Sequence, residues 1–334
     1  MTLQAAPESL AERIAGGDRR ALARAITLVE STREADMRAG EALIAALGPA
    51  GEGALRVGLT GTPGVGKSTL IEALGLRLIE RGRRVGVLAV DPSSARSGGA
   101  ILGDRTRMPR LSRARSAFIR ASPAGASLGG IARRSREVAA LLAAAGHDPV
   151  LIETVGVGQS ETMVAEMCDI FVLILAPAGG DELQGVKRGI VELADLILIN
   201  KADGALEAAA ERMRADYAGA LRLLRPRAED LEGGPKVLCV SAASGAGLDT
   251  AWDEIAALAA WRREQGHMAR HRAGQARHWL EAELRGQLLA RLETDAARAR
   301  IDAAAAEVEA GRIDAAAAAR RGDRARSARP CLMR

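Results

Sequence analysis

Apolar positions in the chain change rhythm twice. Between Glu8 and Ser31 they fall at Leu10, Ile14, Leu22, Ile26 and Val29, the spacing of helices that face a core, and Gly16-Gly17 breaks the run. After Gly51 the rhythm becomes short, mostly apolar runs at 55–59, 84–90, 150–152, 196–199 and 237–240. Such runs read as strands buried on both faces. Helical stretches such as 68–80 separate them, which predicts an α/β fold with a mostly parallel sheet between helices. Beyond Trp261 only helical periodicity remains, rich in Ala, Arg and Glu. The expected organisation is a helical extension over 1–50, an α/β domain over 51–261, a helical arm over 262–321 and a basic tail over 322–334. Leu280, Leu284, Leu288, Leu289 and Leu292 form an apolar stripe on the arm, and homodimerisation is the economical way to bury it. The paired phrases Arg300-Ile-Asp-Ala-Ala-Ala and Arg312-Ile-Asp-Ala-Ala-Ala are too few to build a solenoid.

The first strand and helix flank Gly61-Thr62-Pro63-Gly64-Val65-Gly66-Lys67-Ser68, with Thr69 following. Glycines at this junction let backbone N–H groups close around phosphate oxygens where the helix dipole favours negative charge. Lys67 is expected to reach the β- and γ-phosphates and the Ser68 hydroxyl to ligate Mg²⁺. This P-loop specifies a nucleoside triphosphate without naming its base.

The base is named later, where the run 196–199 ends in Asn200-Lys201-Ala202-Asp203. A carboxylate at Asp203 can accept both the N1–H and the exocyclic amine of guanine. Adenine lacks that donor pair, so a buried carboxylate left unpaired would reject ATP. The next strand ends in Ser241-Ala242 and Gly245-Ala-Gly247, whose backbone N–H groups are expected at the guanine O6. Three motifs, each at a strand's carboxyl end and in the expected order, read as a GTP site. Lysine usage agrees: of 47 Lys+Arg only four are lysines (Lys67, Lys187, Lys201 and Lys236), and two of these lie inside the motifs.

Segments between the motifs are expected to sense the γ-phosphate. Asp91 closes the run 84–90 and can hold a Mg²⁺-bound water, while Asp104 and Thr106 in the following glycine-containing loop are further metal and phosphate candidates. Glu153 stands where P-loop proteins carry a second-sphere Mg²⁺ acid, and the Gly156 N–H can bond the γ-phosphate. Val157 follows that glycine where Ras-like proteins have a catalytic glutamine; Gln159 comes two residues later. Slow intrinsic hydrolysis, accelerated by a partner, is therefore expected. A third loop, Gly179 to Arg188, contains Asp181, Glu182 and Lys187.

Composition adds bounds. Hydrophobic residues make up 48% of the 334 but aromatics only 2%, so Ala, Leu, Val and Ile must do the packing. No run of ~18 apolar residues is present to span a bilayer, and residues 1–17 lack a signal-peptide pattern. Cys168, Cys239 and Cys331 are widely spaced and odd in number, which reads as reduced thiols in a cytoplasmic protein. The net charge of +5 is concentrated in the arm and tail, with 16 arginines against 10 acidic residues from Arg262 onward. Trp279 is the only aromatic there, so a solvated helical face fits better than nucleic-acid binding.

Taken in order, the motifs resemble the GTPases associated with methylmalonyl-CoA mutase, of the MeaB/ArgK type. The strings that carry the resemblance are 61–69, 91–94, 101–108, 153–161, 180–189 and 200–203, together with 17–30 and the arm around Gln275 and Trp279. Residues 124–126 and the Ala-rich tail depart from the family pattern. The resemblance implies a homodimeric chaperone G protein that uses GTP and Mg²⁺ to gate adenosylcobalamin delivery to an acyl-CoA mutase and to protect or reactivate it. It also makes Lys187, Asp181 and Glu182 candidates for partner-stimulated activation. Three other readings stay open. One is a metal-delivery GTPase that uses His267, His271 and His278 on one helical face. The others are a transport-linked kinase and a binding module without hydrolysis.

Overall fold

The computed structural model describes residues 7–48, 50–90, 108–122, 128–154, 160–177, 188–223, 227–231 and 234–320. Asp91, Asp104, Gly156 and Lys187 lie outside the described residues, as do Thr106, Gln159, Asp181, Glu182 and Cys331. The chain forms two compact units, residues 1–275 and 276–334.

The first unit opens with three helices, α1 (Pro7–Ala15), α2 (Arg19–Glu30) and α3 (Glu34–Leu47). Asp18 caps α2 by accepting the N–H groups of Arg20 and Ala21 at 2.8 and 3.1 Å. The apolar positions seen in the sequence, Leu10, Ile14, Leu22, Ile26 and Val29, are all buried. Glu30 at the end of α2 is ion-paired with Arg120 of the sheet.

Next comes a seven-stranded sheet in the order β3-β2-β4-β1-β5-β6-β7, every pair parallel. Its strands are β1 (Arg56–Thr60), β2 (Val85–Val90), β3 (Ala117–Ser122), β4 (Val150–Thr154), β5 (Ile170–Leu175), β6 (Leu196–Ile199) and β7 (Lys236–Cys239). Intervening helices are α4 (Lys67–Glu80), α5 (Pro109–Arg113), α6 (Leu128–Ala144), α7 (Ser160–Ala165), α8 (Arg188–Leu193), α9 (Glu207–Leu221) and α10 (Leu248–Glu264). All residues of β2, β4, β5 and β6 are buried, as continuous apolar runs require. One large core cluster joins Val57, Leu59 and Leu151 of the sheet to Leu70, Leu74 and Leu78 of α4 and to Trp252 and Ile255 of α10. From β1 the chain winds outward through β2 and β3, returns to β4, and then crosses to β5–β7. The carboxyl ends beside β1 are thus the reversal point where ligands bind in open α/β sheets.

Helix α11 (His267–Ala290) begins in the first unit, where Asp169, directly before β5, anchors it. The fully buried Asp169 carboxylate is held at 2.7 Å by both Arg56 and Arg272. Burial raises its pKa, but the two guanidinium groups outweigh that and hold it down to about 2. In the second unit, α11 continues and α12 (Asp295–Glu309) follows. Leu280, Leu284, Leu288, Leu289 and Leu292 there are 42–61% exposed. No described helix is long and apolar enough to cross a membrane.

Candidate functional site

Four strand ends, those of β1, β4, β6 and β7, converge on one set of polar contacts. After Thr60 the backbone turns so tightly against β5 that a Cβ on Gly61 would lie 2.1 Å from the Ile174 carbonyl oxygen. Gly66 caps α4 in the left-handed region at φ 90°, and a Cβ there would press to 2.8 Å on Asn200 Nδ2. The glycines are thus required by the shape of the loop. Lys67 starts the helix and is 7% exposed, and its Nζ donates to the carbonyls of Gly61 at 2.7 Å and Thr62 at 3.1 Å. Its ammonium is held against the loop backbone at the helix N-terminus, the place a phosphate would take its charge. Ser68 Oγ donates to Glu153 Oε1 at 2.7 Å, joining α4 to the end of β4. Val65 is buried, whereas Pro63, Gly64 and Thr69 are exposed.

The second motif closes on the first. Asn200, 1% exposed, donates from Nδ2 to the Val65 carbonyl at 2.8 Å and accepts the Ala242 N–H on Oδ1 at 3.1 Å. Lys201 takes a positive φ of 59° and its Nζ donates to the Gly64 carbonyl at 2.8 Å. Asp203 is half-buried, and its carboxylate has no hydrogen-bond or ion-pair partner among the described residues. After β7, the N–H of buried Ser241 goes to Ala246 O at 2.9 Å, and its Oγ accepts the Ser244 N–H at 3.1 Å. Ser241 and Ala242 therefore have their N–H groups engaged within the protein. The N–H groups of Ala243 and Gly247 are the donors of this turn left without an acceptor among the described residues, and Ala243 is the one next to Ser241 and Ala242. The sequence does not mark Ala243, because only the reach of Asn200 to Ala242 shows that the Ala242 donor is taken and the next one is not.

The structure thus brings together Gly61–Thr69, Glu153, Asn200, Lys201, Asp203, Ser241 and Ala242. The donor set suits a nucleoside triphosphate with a hard divalent cation: loop N–H groups and an ammonium for phosphate, and a hydroxyl–carboxylate pair for the metal. Behind the loop, Arg81, the C-cap of α4, pairs with Asp249 at 2.7 Å and Asp253 at 2.9 Å on α10, tying the end of the phosphate-loop helix to the helix after the base loop.

The arm histidines are differently engaged. His267 stacks on Trp261 with ring centroids 5.1 Å apart, and His271 Nε2 lies 3.1 Å from the Cys168 carbonyl oxygen. Among the described residues no three His, Cys, Asp or Glu side chains are grouped to hold a metal ion. Cys168 and Cys239 are free thiols, and burial pushes both thiol pKa values up.

Comparison with known proteins agrees with this geometry. A family model described as methylmalonyl-CoA mutase-associated GTPase MeaB matches residues 22–297. A putative GTPase of Caulobacter vibrioides is 51% identical over 94% of this chain and 96% of its own. The mitochondrial methylmalonic aciduria type A homolog of Mus musculus is 49% identical over 79% of this chain and 66% of its own. A crystal structure described as a LAO/AO transport system kinase superposes with a TM-score of 0.77 at 34% identity, covering 98% of this chain and 99% of that one. With a P-loop, a guanine motif and a family match across most of its length, this chain belongs to the MeaB family of methylmalonyl-CoA mutase-associated GTPases, proteins that bind and hydrolyse GTP.

Proposed function

We propose that this GTPase gates the loading of adenosylcobalamin onto methylmalonyl-CoA mutase, or a close acyl-CoA mutase, and protects or reactivates that enzyme. The family description and the relative named for methylmalonic aciduria support the partner. The observation that carries the guanine reading is the Asp203 carboxylate at the end of β6, which has no partner of its own among the described residues.

In this reading Asp203 accepts the N1–H and N2–H₂ of guanine, and the Ala243 N–H, next to Ser241 and Ala242, faces O6. Lys67 exchanges the Gly61 and Thr62 carbonyls for β- and γ-phosphate oxygens, and the loop N–H groups of 62–69 bind the phosphates. Ser68 and Glu153, with Asp91 and Asp104, hold Mg²⁺, which when bound supplies positive charge against the phosphate oxygens. The Gly156 N–H senses the γ-phosphate, and Lys187 carries stimulation by the partner. The leucine stripe of the arm makes the working form a homodimer.

GTP turnover by the purified protein, measured with and without the mutase, tests this. Acceleration of several-fold is expected. Sound basal turnover that the mutase leaves unchanged would remove this partner. Transfer of phosphate to a protein hydroxyl, in place of release to water, would favour the kinase reading.

A further inference from the structure

Thr60 ends β1 and Thr154 ends β4, and their hydroxyl oxygens lie 3.0 Å apart with both side chains fully buried. The parallel register pairs Leu59 with Glu153, so the threonines form the next rung, the last of both strands. Strand alternation puts Leu59 and Glu153 on the face of α4, where Glu153 meets Ser68. The threonines therefore lie on the opposite face with Gly58, whose backbone packs against Val164 and Cys168. Thr154 and Glu153 thus act from the two sides of a single strand end.

These are the only hydroxyl side chains in β1 and β4, whose other residues, Arg56 and Glu153 apart, are apolar or glycine. As packing alone, two valines of the same shape would serve as well, without taking two hydroxyls out of water. The two groups carry two protons, their mutual bond uses one, and neither has a further partner among the described residues. What the bond gains is position. Gly61, bonded to Lys67, follows Thr60 directly, and Glu153, bonded to Ser68, precedes Thr154 directly.

We propose that the Thr60–Thr154 bond is a positioning device for GTP hydrolysis. It fixes the end of β4 against the root of the phosphate loop and so holds the Glu153 carboxylate at Ser68 where Mg²⁺ binds. Such second-layer bonds orient metal ligands, and a misplacement on the order of 1 Å can cost ~100-fold in rate. The inference rests on the GTPase reading and on Mg²⁺ at Ser68 and Glu153.

The test uses the full chain carrying Thr60→Val, Thr154→Val, both together, and Thr60→Ser and Thr154→Ser. Readouts are kcat and KM for GTP, and the affinity for a fluorescent GDP analogue with Mg²⁺ and with EDTA. Each valine variant is expected to lower kcat about tenfold, the size of one hydrogen bond, with KM little changed. GDP-analogue affinity in EDTA stays within about twofold, while the tightening produced by Mg²⁺ shrinks. The double variant is no worse than either single one, because both remove the same bond. The serine variants, which keep the hydroxyl, recover turnover. Multiplying losses, an unchanged kcat, or an equal loss of affinity with and without Mg²⁺ would each overturn the proposal. Thr60→Ala removes the same hydroxyl with less bulk and gives the same readouts if valine is not tolerated. A wild-type chain without GTP turnover would sink the GTPase reading itself, whereas normal wild-type turnover with indifferent valine variants sinks this inference alone.

Discussion

Asn200 donates its side-chain amide to the carbonyl of Val65 at 2.8 Å, across 135 positions of sequence. Through its other amide atom it accepts the Ala242 N–H. One buried side chain therefore holds the phosphate loop and the base loop in a fixed relation. Asn200→Ala leaves a carbonyl and an N–H without partners, a cost of about 2 kcal/mol to the loaded geometry. GTP and GDP affinities are expected to fall together, by about 30-fold, in equilibrium fluorescence titrations. Loss of GTP affinity alone would show that Asn200 serves the γ-phosphate and not the whole pocket.

Asp203→Asn replaces a pure acceptor by a group that donates as well. The variant is expected to lose GTP affinity by at least about 100-fold and to gain use of xanthosine triphosphate, whose base offers an acceptor where guanine has its amine. Competition between the two nucleotides measures this directly. Unchanged GTP affinity would remove Asp203 from the base site.

His147 gives the first unit an acid-sensitive point. It is 1% exposed, its Nδ1 donates to Leu142 O at 3.0 Å, and its Nε2 has no partner among the described residues. Burial, only partly offset by the Leu142 bond and reinforced by nearby Arg84 and Arg19, depresses its pKa from 6.5 to about 4. The unfolded chain therefore binds the proton first as pH falls. The stability contributed by the neutral ring is complete above about pH 6.5 and drains away toward about pH 4, a total of about 3 kcal/mol. Urea unfolding across this window should show the slope in the wild type and its loss in His147→Leu. An equal slope in the variant would place the acid sensitivity elsewhere.

The arm leucines can be tested without touching the nucleotide site. Leu284 and Leu288 are 51% and 54% exposed, one helical turn apart. Leu284→Glu with Leu288→Glu is expected to convert a dimer to a monomer in light scattering, with GTP affinity within about twofold of wild type. A wild type already monomeric at micromolar concentration would end the dimer reading.

How legible the site was depended on how local its signal is. The P-loop and the guanine motif could be read because each is a short string directly after an apolar run. The strand ahead of Asn200 was read at 196–199, where it stands. The helix after the P-loop begins at Lys67, one residue earlier than read, because Gly66 in the left-handed region ends the loop there. Strand β3 went unnamed because Arg120 interrupts its apolar run, and only the fold shows that guanidinium turned toward Glu30. Strand β5 was passed over although Ile170–Leu175 is six apolar residues without a break, a signal that was present. The spacing of His267 and His271 did place them one helical turn apart on α11. What they touch, Trp261 and the Cys168 carbonyl, comes from elements that spacing cannot see. Thr60 and Thr154, 94 positions apart, belong to the same class.

Lys67 and Lys201, each with its ammonium docked on phosphate-loop carbonyls, have a consequence for the chemistry of the protein's surface. Basic charge is carried almost wholly by arginine, which amine-acylating reagents leave alone at neutral pH. Half of the chain's four lysines are docked on the one phosphate loop, while Lys236 is tied to Glu254 at the far edge of the sheet. An acylating label thus meets a molecule with few addresses, and nucleotide binding is expected to change the labelling of two of them together.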